Sequence, residues 1–94
     1  MTTSTHSIRT VADLKRIGTG TRLRLVRSLI GETPPEKQWR IVRETRSSYM
    51  VVEPEGLPGN RSYLNWPKAR DFRPTDVGFD IYEGETLCAS YSFT

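Results

Sequence analysis

The 94-residue chain carries fourteen Lys and Arg residues, eleven of them Arg. Arg holds phosphate or carboxylate through paired N–H donors, so the placement of these side chains bears directly on what the surface binds. One group is Arg22, Arg24 and Arg40, with Arg43 and Arg46 just beyond. A second group, Lys68, Arg70 and Arg73, is interleaved with Trp66 and Phe72. Cations for phosphates and flat rings for stacking are what single-stranded nucleic acid requires. A basic surface with aromatic anchors equally suits a protein partner. The plainer alternatives are a solvated face balanced by acids such as Glu44, and Arg usage that follows a GC-rich genome.

Catalytic chemistry finds less to work with. His6, the one histidine, lies in the polar start of the chain, and Cys88 is the one cysteine. Together they fall short of the three or four ligands of a zinc site. A Ser-His-Asp or Cys-His arrangement has to recruit that same histidine. Cys88 phases to the polar side of the last hairpin and reads as an ordinary small side chain rather than a nucleophile. Asp80, Glu83 and Glu85 surround a hairpin turn, where acids aid solubility and guard an edge. They do not form a calcium loop or the cleft of a carboxylate-pair glycosidase. Gly18-Thr19-Gly20 runs from helix into strand, the reverse of a phosphate loop. Asn60-Arg61-Ser62 fits a glycosylation sequon but has no export signal to go with it. The expectation is a binding domain, not an enzyme, with no cofactor and no metal.

Composition bounds the rest. Residues 1–50 hold ten bases and four acids, whereas residues 51–94 hold four bases and seven acids. The net charge of +3 and the pI of about 9.4 therefore conceal a dipolar chain. One cysteine excludes an intramolecular disulfide, and the first ten residues lack the apolar core of a secretion signal. Apolar runs of two or three residues are too short to span a membrane as a helix. The expected location is the cytoplasm.

The elements that must position these groups follow from periodicity. Residues 1–7 are expected to form a flexible tail, and 8–94 a single domain. Thr10 caps a short helix, with Asp13 completing a capping box, Val11, Leu14 and Ile17 facing inward and Gly18 stopping it. In Thr21–Ile30, Leu23, Leu25 and Leu29 oppose Arg22, Arg24 and Ser28, with a break at Val26–Arg27 that a β-bulge would repair. Trp39 and Ile41 alternate with Arg40 and Glu44. This phasing sets Arg22, Arg24 and Arg40 opposite a core side of Leu23, Leu25, Trp39 and Ile41. Tyr49–Glu53 and Ser62–Trp66 read as further strands separated by a Pro/Gly loop. Pro67–Phe72 reads as one helical turn stopped by Pro74. Phe79 and Ile81, then Leu87, Ala89, Tyr91 and Phe93, line the apolar side of a closing hairpin.

Five or six antiparallel strands, a leading helix and one helical turn before the last hairpin predict a mainly β fold. The form expected is a small SH3-like barrel or roll, with an OB-like barrel as the alternative. Leu23, Trp39 and Phe79 are expected in the core, and Trp66 at least half exposed.

The stretch Tyr63-Leu-Asn-Trp-Pro-Lys-Ala-Arg-Asp-Phe72, followed by Gly78-Phe-Asp-Ile-Tyr82, resembles a pattern in small proteins of actinobacterial phages and prophages. The resemblance covers about a fifth of the chain and is most specific at Trp66-Pro67-Lys68-Ala69. It brings no activity or site residues, but it implies a mobile-element setting in which small proteins bind a host protein or nucleic acid. The primary expectation is thus a protein-interaction module, or modulator of a host factor, using Trp66, Lys68, Arg70, Phe72 and Arg73. The alternative is nucleic-acid binding through Arg22, Arg24, Arg40 and Arg43. A monomer and an edge-strand homodimer are both compatible with the pattern, and no membrane partner is expected.

Overall fold

The computed structural model describes residues 8–94. The segment 1–7, expected as a flexible tail, and His6 within it lie outside the described residues. Thr10 opens α1 (Val11–Lys15). Its hydroxyl accepts from the Asp13 N–H at 3.1 Å, while the Asp13 carboxylate accepts from the N–H groups of Thr10 and Arg9 at 3.2 and 3.0 Å. The capping box expected from the sequence is therefore made. Leu14 and Ile17 are buried beneath it. The left-handed glycine is Gly20 (φ 92°) rather than Gly18. The Gly18 carbonyl instead accepts from the N–H and hydroxyl of Thr21, at 3.2 and 2.6 Å, to close a turn.

Eight strands follow: β1 (Arg22–Ser28), β2 (Gly31–Glu32), β3 (Trp39–Thr45), β4 (Tyr49–Pro54), β5 (Ser62–Asn65), β6 (Phe72–Pro74), β7 (Gly78–Glu83) and β8 (Thr86–Ser92). They form one antiparallel sheet in the order β5-β4-β3-β1-β8-β7-β6, with β2 folded back on β1. Two meanders, β3–β5 and β6–β8, are thus joined through β1. The fold is mainly β, with a short N-terminal helix and a 3-10 turn (Ala69–Asp71) before the last hairpin. The strands beyond the expected number are the two-residue β2 and three-residue β6, which are too short to register as alternation.

The sheet curls. Leu64 on β5 and Phe72 on β6, from opposite edges, join the same hydrophobic cluster. Six flat inter-strand intervals of about 4.8 Å would hold them about 29 Å apart. The radius of gyration is 12.4 Å, matching the roughly 12 Å of a well-packed chain of this length. Phe79 sits at the centre of the roll, fully buried, with ring centroids of Tyr91, Phe72 and Phe93 at 5.1, 5.5 and 5.9 Å. Leu14, Leu23, Val42 and Met50 complete the inaccessible core. Among the described residues no helix is long and apolar enough to cross a membrane.

Three departures from the expected phasing matter for the surface. The bulge read at Val26–Arg27 is present, as a register shift between Leu25 and Arg27 against β8. The strand then ends at Ser28, so Leu29 does not reach the core. Leu29 and Ile30 form an exposed turn, with Ile30 99% accessible.

β3 runs in the opposite phase to that expected. Arg22 lies opposite Ile41, Leu23 opposite Arg40, and Arg24 opposite Trp39. Directly opposed residues share a face. Leu23 is fully buried, so Arg40 shares the inner side, whereas Trp39 and Ile41 stand outside with Arg22 and Arg24. Val42 takes the core position, and a register shift after it makes Arg43 the extra residue of a bulge. In β8 a similar shift sets Ala89 opposite Ile81 but Leu87 opposite Tyr82. Cys88 is the extra residue, and it packs against the core cluster rather than lying on the polar side.

Candidate binding site

The chain leaving β5 is held by Trp66. Its backbone N–H donates to Ser48 C=O at 3.1 Å and its indole N–H to Arg46 C=O at 2.8 Å. These two bonds tie the segment to the β3–β4 turn. Pro67 and an extended Lys68 then lead into the 3-10 turn, where the Asp71 N–H donates to Lys68 C=O at 2.9 Å. The turn swings Phe72 into the core.

Across from this segment stands the β7–β8 hairpin. Ile81, Tyr82, Glu83, Gly84 and Cys88 form one wall of a groove of about 720 Å³, and Asn65 to Lys68 with Arg70 and Asp71 form the other. The glycine at φ 64° turns the hairpin tightly at Gly84. On Tyr82 rests the Arg73 guanidinium, 4.0 Å from the ring centroid. Such a stack orients the ring and delocalised cation together. Lys68, Arg70, Asp71 and Glu83 bring charge to the groove, and none of the four is in an ion pair among the described residues.

Trp66, Lys68 and Arg70 are thus brought together as expected. Phe72 is not part of this surface: it is 7% accessible and stacks on Phe79. Nor is Trp66 half exposed, since it packs against the core cluster with its indole hydrogen-bonded. Arg73 is exposed but contributes by stacking on Tyr82 instead of lining the groove. The hairpin wall carries one sequence signal, Tyr82, an aromatic ring on the side of β7 shared with Asp80.

The arginine face has a different character. Arg22 makes a bidentate pair with Glu55, at 2.6 and 3.1 Å, and its guanidinium lies 4.1 Å from the Trp39 ring centroid. Arg24 is 5.9 Å from the same ring and donates to Gln38 Oε1 at 3.0 Å and to the Thr94 carbonyl. Arg43 and Arg61 both donate to Glu53, each at 3.3 Å, and that carboxylate is only 3% accessible. Burial pushes the Glu53 carboxyl up, but hydrogen bonds from Arg43 and the Gly59 backbone, the charge of Arg43 and the Arg61 contact outweigh it. The carboxyl ends below its usual range. Arg46 pairs with Glu44 at 3.0 Å. Arg40, on the inner side, donates to the carbonyls of Lys37 and Trp39. The four arginines expected to act together therefore do not share a face. Three of them are already engaged by acids or backbone on the outer one.

Among the described residues no three His, Cys, Asp or Glu side chains converge to hold a metal ion. Comparison of the chain with protein-family models, with curated proteins and with solved structures finds no match.

Proposed function

We propose that this chain is a non-catalytic binding domain that takes a segment of a protein partner into the groove between Trp66 and Tyr82. The observation that supports this most is the groove's composition. Trp66, Ile81 and Tyr82 line it with apolar and aromatic side chains, while its charged residues, Lys68, Arg70, Asp71 and Glu83, form no ion pair among the described residues. Burying one aromatic or aliphatic anchor in such a site supplies most of the energy of a protein contact. The unpaired cations Lys68 and Arg70 select for acid in the partner, and Asp71 and Glu83 for base beside it. A cytoplasmic modulator of a host factor, carried by a mobile element, is the setting we favour on the resemblance of Tyr63–Phe72 and Gly78–Tyr82.

Nucleic-acid binding is the second reading, and the Arg22–Trp39–Arg24 stack is the observation in its favour. It ranks second because Glu55 already holds Arg22, Glu53 already holds Arg43, and both carboxylates would repel phosphates. Arg40 no longer contributes to it.

Selection from a random peptide-display library tests the groove directly. The wild-type chain is expected to enrich sequences that pair an aromatic or large aliphatic residue with nearby Asp or Glu. Those sequences should bind neither Trp66→Ala nor Arg70→Glu. A library that yields no binder, or binders indifferent to both changes, overturns the reading.

A further inference from the structure

The two edges of the sheet are built differently. On β6, the Thr75 N–H donates to Gly78 C=O at 3.0 Å, so by alternation Arg73 also faces β7, while Phe72 and Pro74 face outward. The Phe72 N–H is spent on the Ala69 carbonyl, and Pro74 has none. This edge has no N–H to offer another strand, a common way in which edges are kept from pairing.

On β5, Trp66 donates toward β4, so Ser62 and Leu64 do too, while Arg61, Tyr63 and Asn65 turn their N–H and C=O groups away from the sheet. Among the described residues no backbone group pairs with that outer side. The strand holds no Pro and no Lys, and Tyr63 at its middle is 72% accessible. It is an unguarded edge.

We propose that β5 is the dimerisation edge of this protein, pairing antiparallel with β5 of a second copy about a two-fold axis at Tyr63. In that register Tyr63 meets Tyr63 of the second copy, and Arg61 and Asn65 each meet the other's counterpart. Like charges are nowhere opposed. The outward groups of all three residues are satisfied, and Tyr63, already 5.1 Å from Tyr49, extends that pair into a cross-strand aromatic row. Self-pairing is also the arrangement that terminates. Joining β5 of one copy to β6 of the next would propagate without end, and the blocked β6 edge forbids it. The dimer edge and the Trp66–Tyr82 groove share Asn65, but the dimer is read by mass and the groove by peptide binding, so the two fail separately.

Sedimentation velocity on the full chain from micromolar to millimolar concentration tests the proposal. The wild-type mass is expected to rise from 10.8 kDa toward twice that value. Tyr63→Pro removes an outward-facing N–H and the ring beside Tyr49 but no hydrogen bond to β4, and Tyr63→Lys sets two cations against each other at the axis; both are expected to remain monomeric. Circular dichroism checks that each variant is folded, and Tyr63→Lys serves if Tyr63→Pro does not fold. Arg73→Ala on the opposite edge should dimerise like wild type. A wild-type chain that stays monomeric throughout, or a dimer that survives Tyr63→Lys, overturns the assignment.

Discussion

Arg22 lies over Trp39, its guanidinium carbon 4.1 Å from the ring centroid, while its nitrogens hold Glu55. One side chain thereby covers an outward-facing tryptophan and ties the loop after β4 to β1. The arrangement turns what looks in the sequence like a free phosphate-binding cation into a structural one. Arg22→Ala is expected to cost about 1 kcal/mol, the sum typical of one exposed cation–π contact and one surface ion pair. The urea midpoint measures this, and Trp39 emission should shift to the red. In the same chain, labelled single-stranded oligonucleotide should show no micromolar binding at physiological salt, with or without Arg22.

Glu53 sets an acid limit. Its folded-state pKa lies below the unfolded value, as does that of Asp13, which is lowered first by the Arg9 N–H, against burial, with help from Thr10. A depressed carboxylate contributes stability in full above the ordinary range near about pH 4 and loses it as pH falls through the folded value. Stability should therefore decline as pH falls below that range. Glu53→Gln should lower stability at neutral pH and flatten that decline, read as urea midpoints across an acid pH series. An unchanged slope would show that the Arg43–Glu53–Arg61 contact carries no such linkage.

Gly78 permits the close approach of β7 to β8. A Cβ built there would stand 2.0 Å from the Tyr91 carbonyl oxygen and 2.8 Å from Ser92 Cα, both backbone atoms that cannot step aside. Gly78→Ala should cost about 3 kcal/mol, at the upper end of overpacking effects. Thermal unfolding checks it, and Gly18→Ala, where the nearest atom is Thr21 Oγ1 at 3.9 Å, is the mild control.

Phe79 carries the core. Its removal leaves a void bordered by three other rings, and Phe79→Ala should cost about 3–5 kcal/mol, a large share of the roughly 5–14 kcal/mol available to a chain of this size. Trp39→Ala, on the outer face, should cost clearly less. Denaturant titration of the two variants side by side measures the difference, and the reverse order would contradict the observed phase of β3.

What could be read from the sequence was local. The capping box at Thr10–Asp13 and the bulge at Val26–Arg27 are set by residues adjacent in the chain, and both are present. The apolar alternation of the last hairpin is likewise short-range, and Phe79 and Tyr91 are buried as it predicts. The phase of β3 was not legible. Trp39 and Ile41 form an alternation as apolar as any core strand, and what puts them outside is long-range: the pairing of Arg40 with Leu23, and Arg22 available to cover the ring. For Cys88, the one-residue shift against Tyr82 could not be read from either strand alone. The groove was half legible. Trp66, Lys68 and Arg70 are contiguous in the chain, but the wall of Ile81 and Tyr82 reaches them only because the sheet rolls.

Occupation of the Trp66–Tyr82 groove is measured most directly by an amide chemical-shift map of the nitrogen-labelled chain, titrated with the tightest peptide from the display selection. Perturbations are predicted along residues 65–71 and 81–88, and they should vanish in Trp66→Ala. Perturbations centred instead on Arg22, Arg24 and Trp39, or a map unchanged by Trp66→Ala, would contradict it.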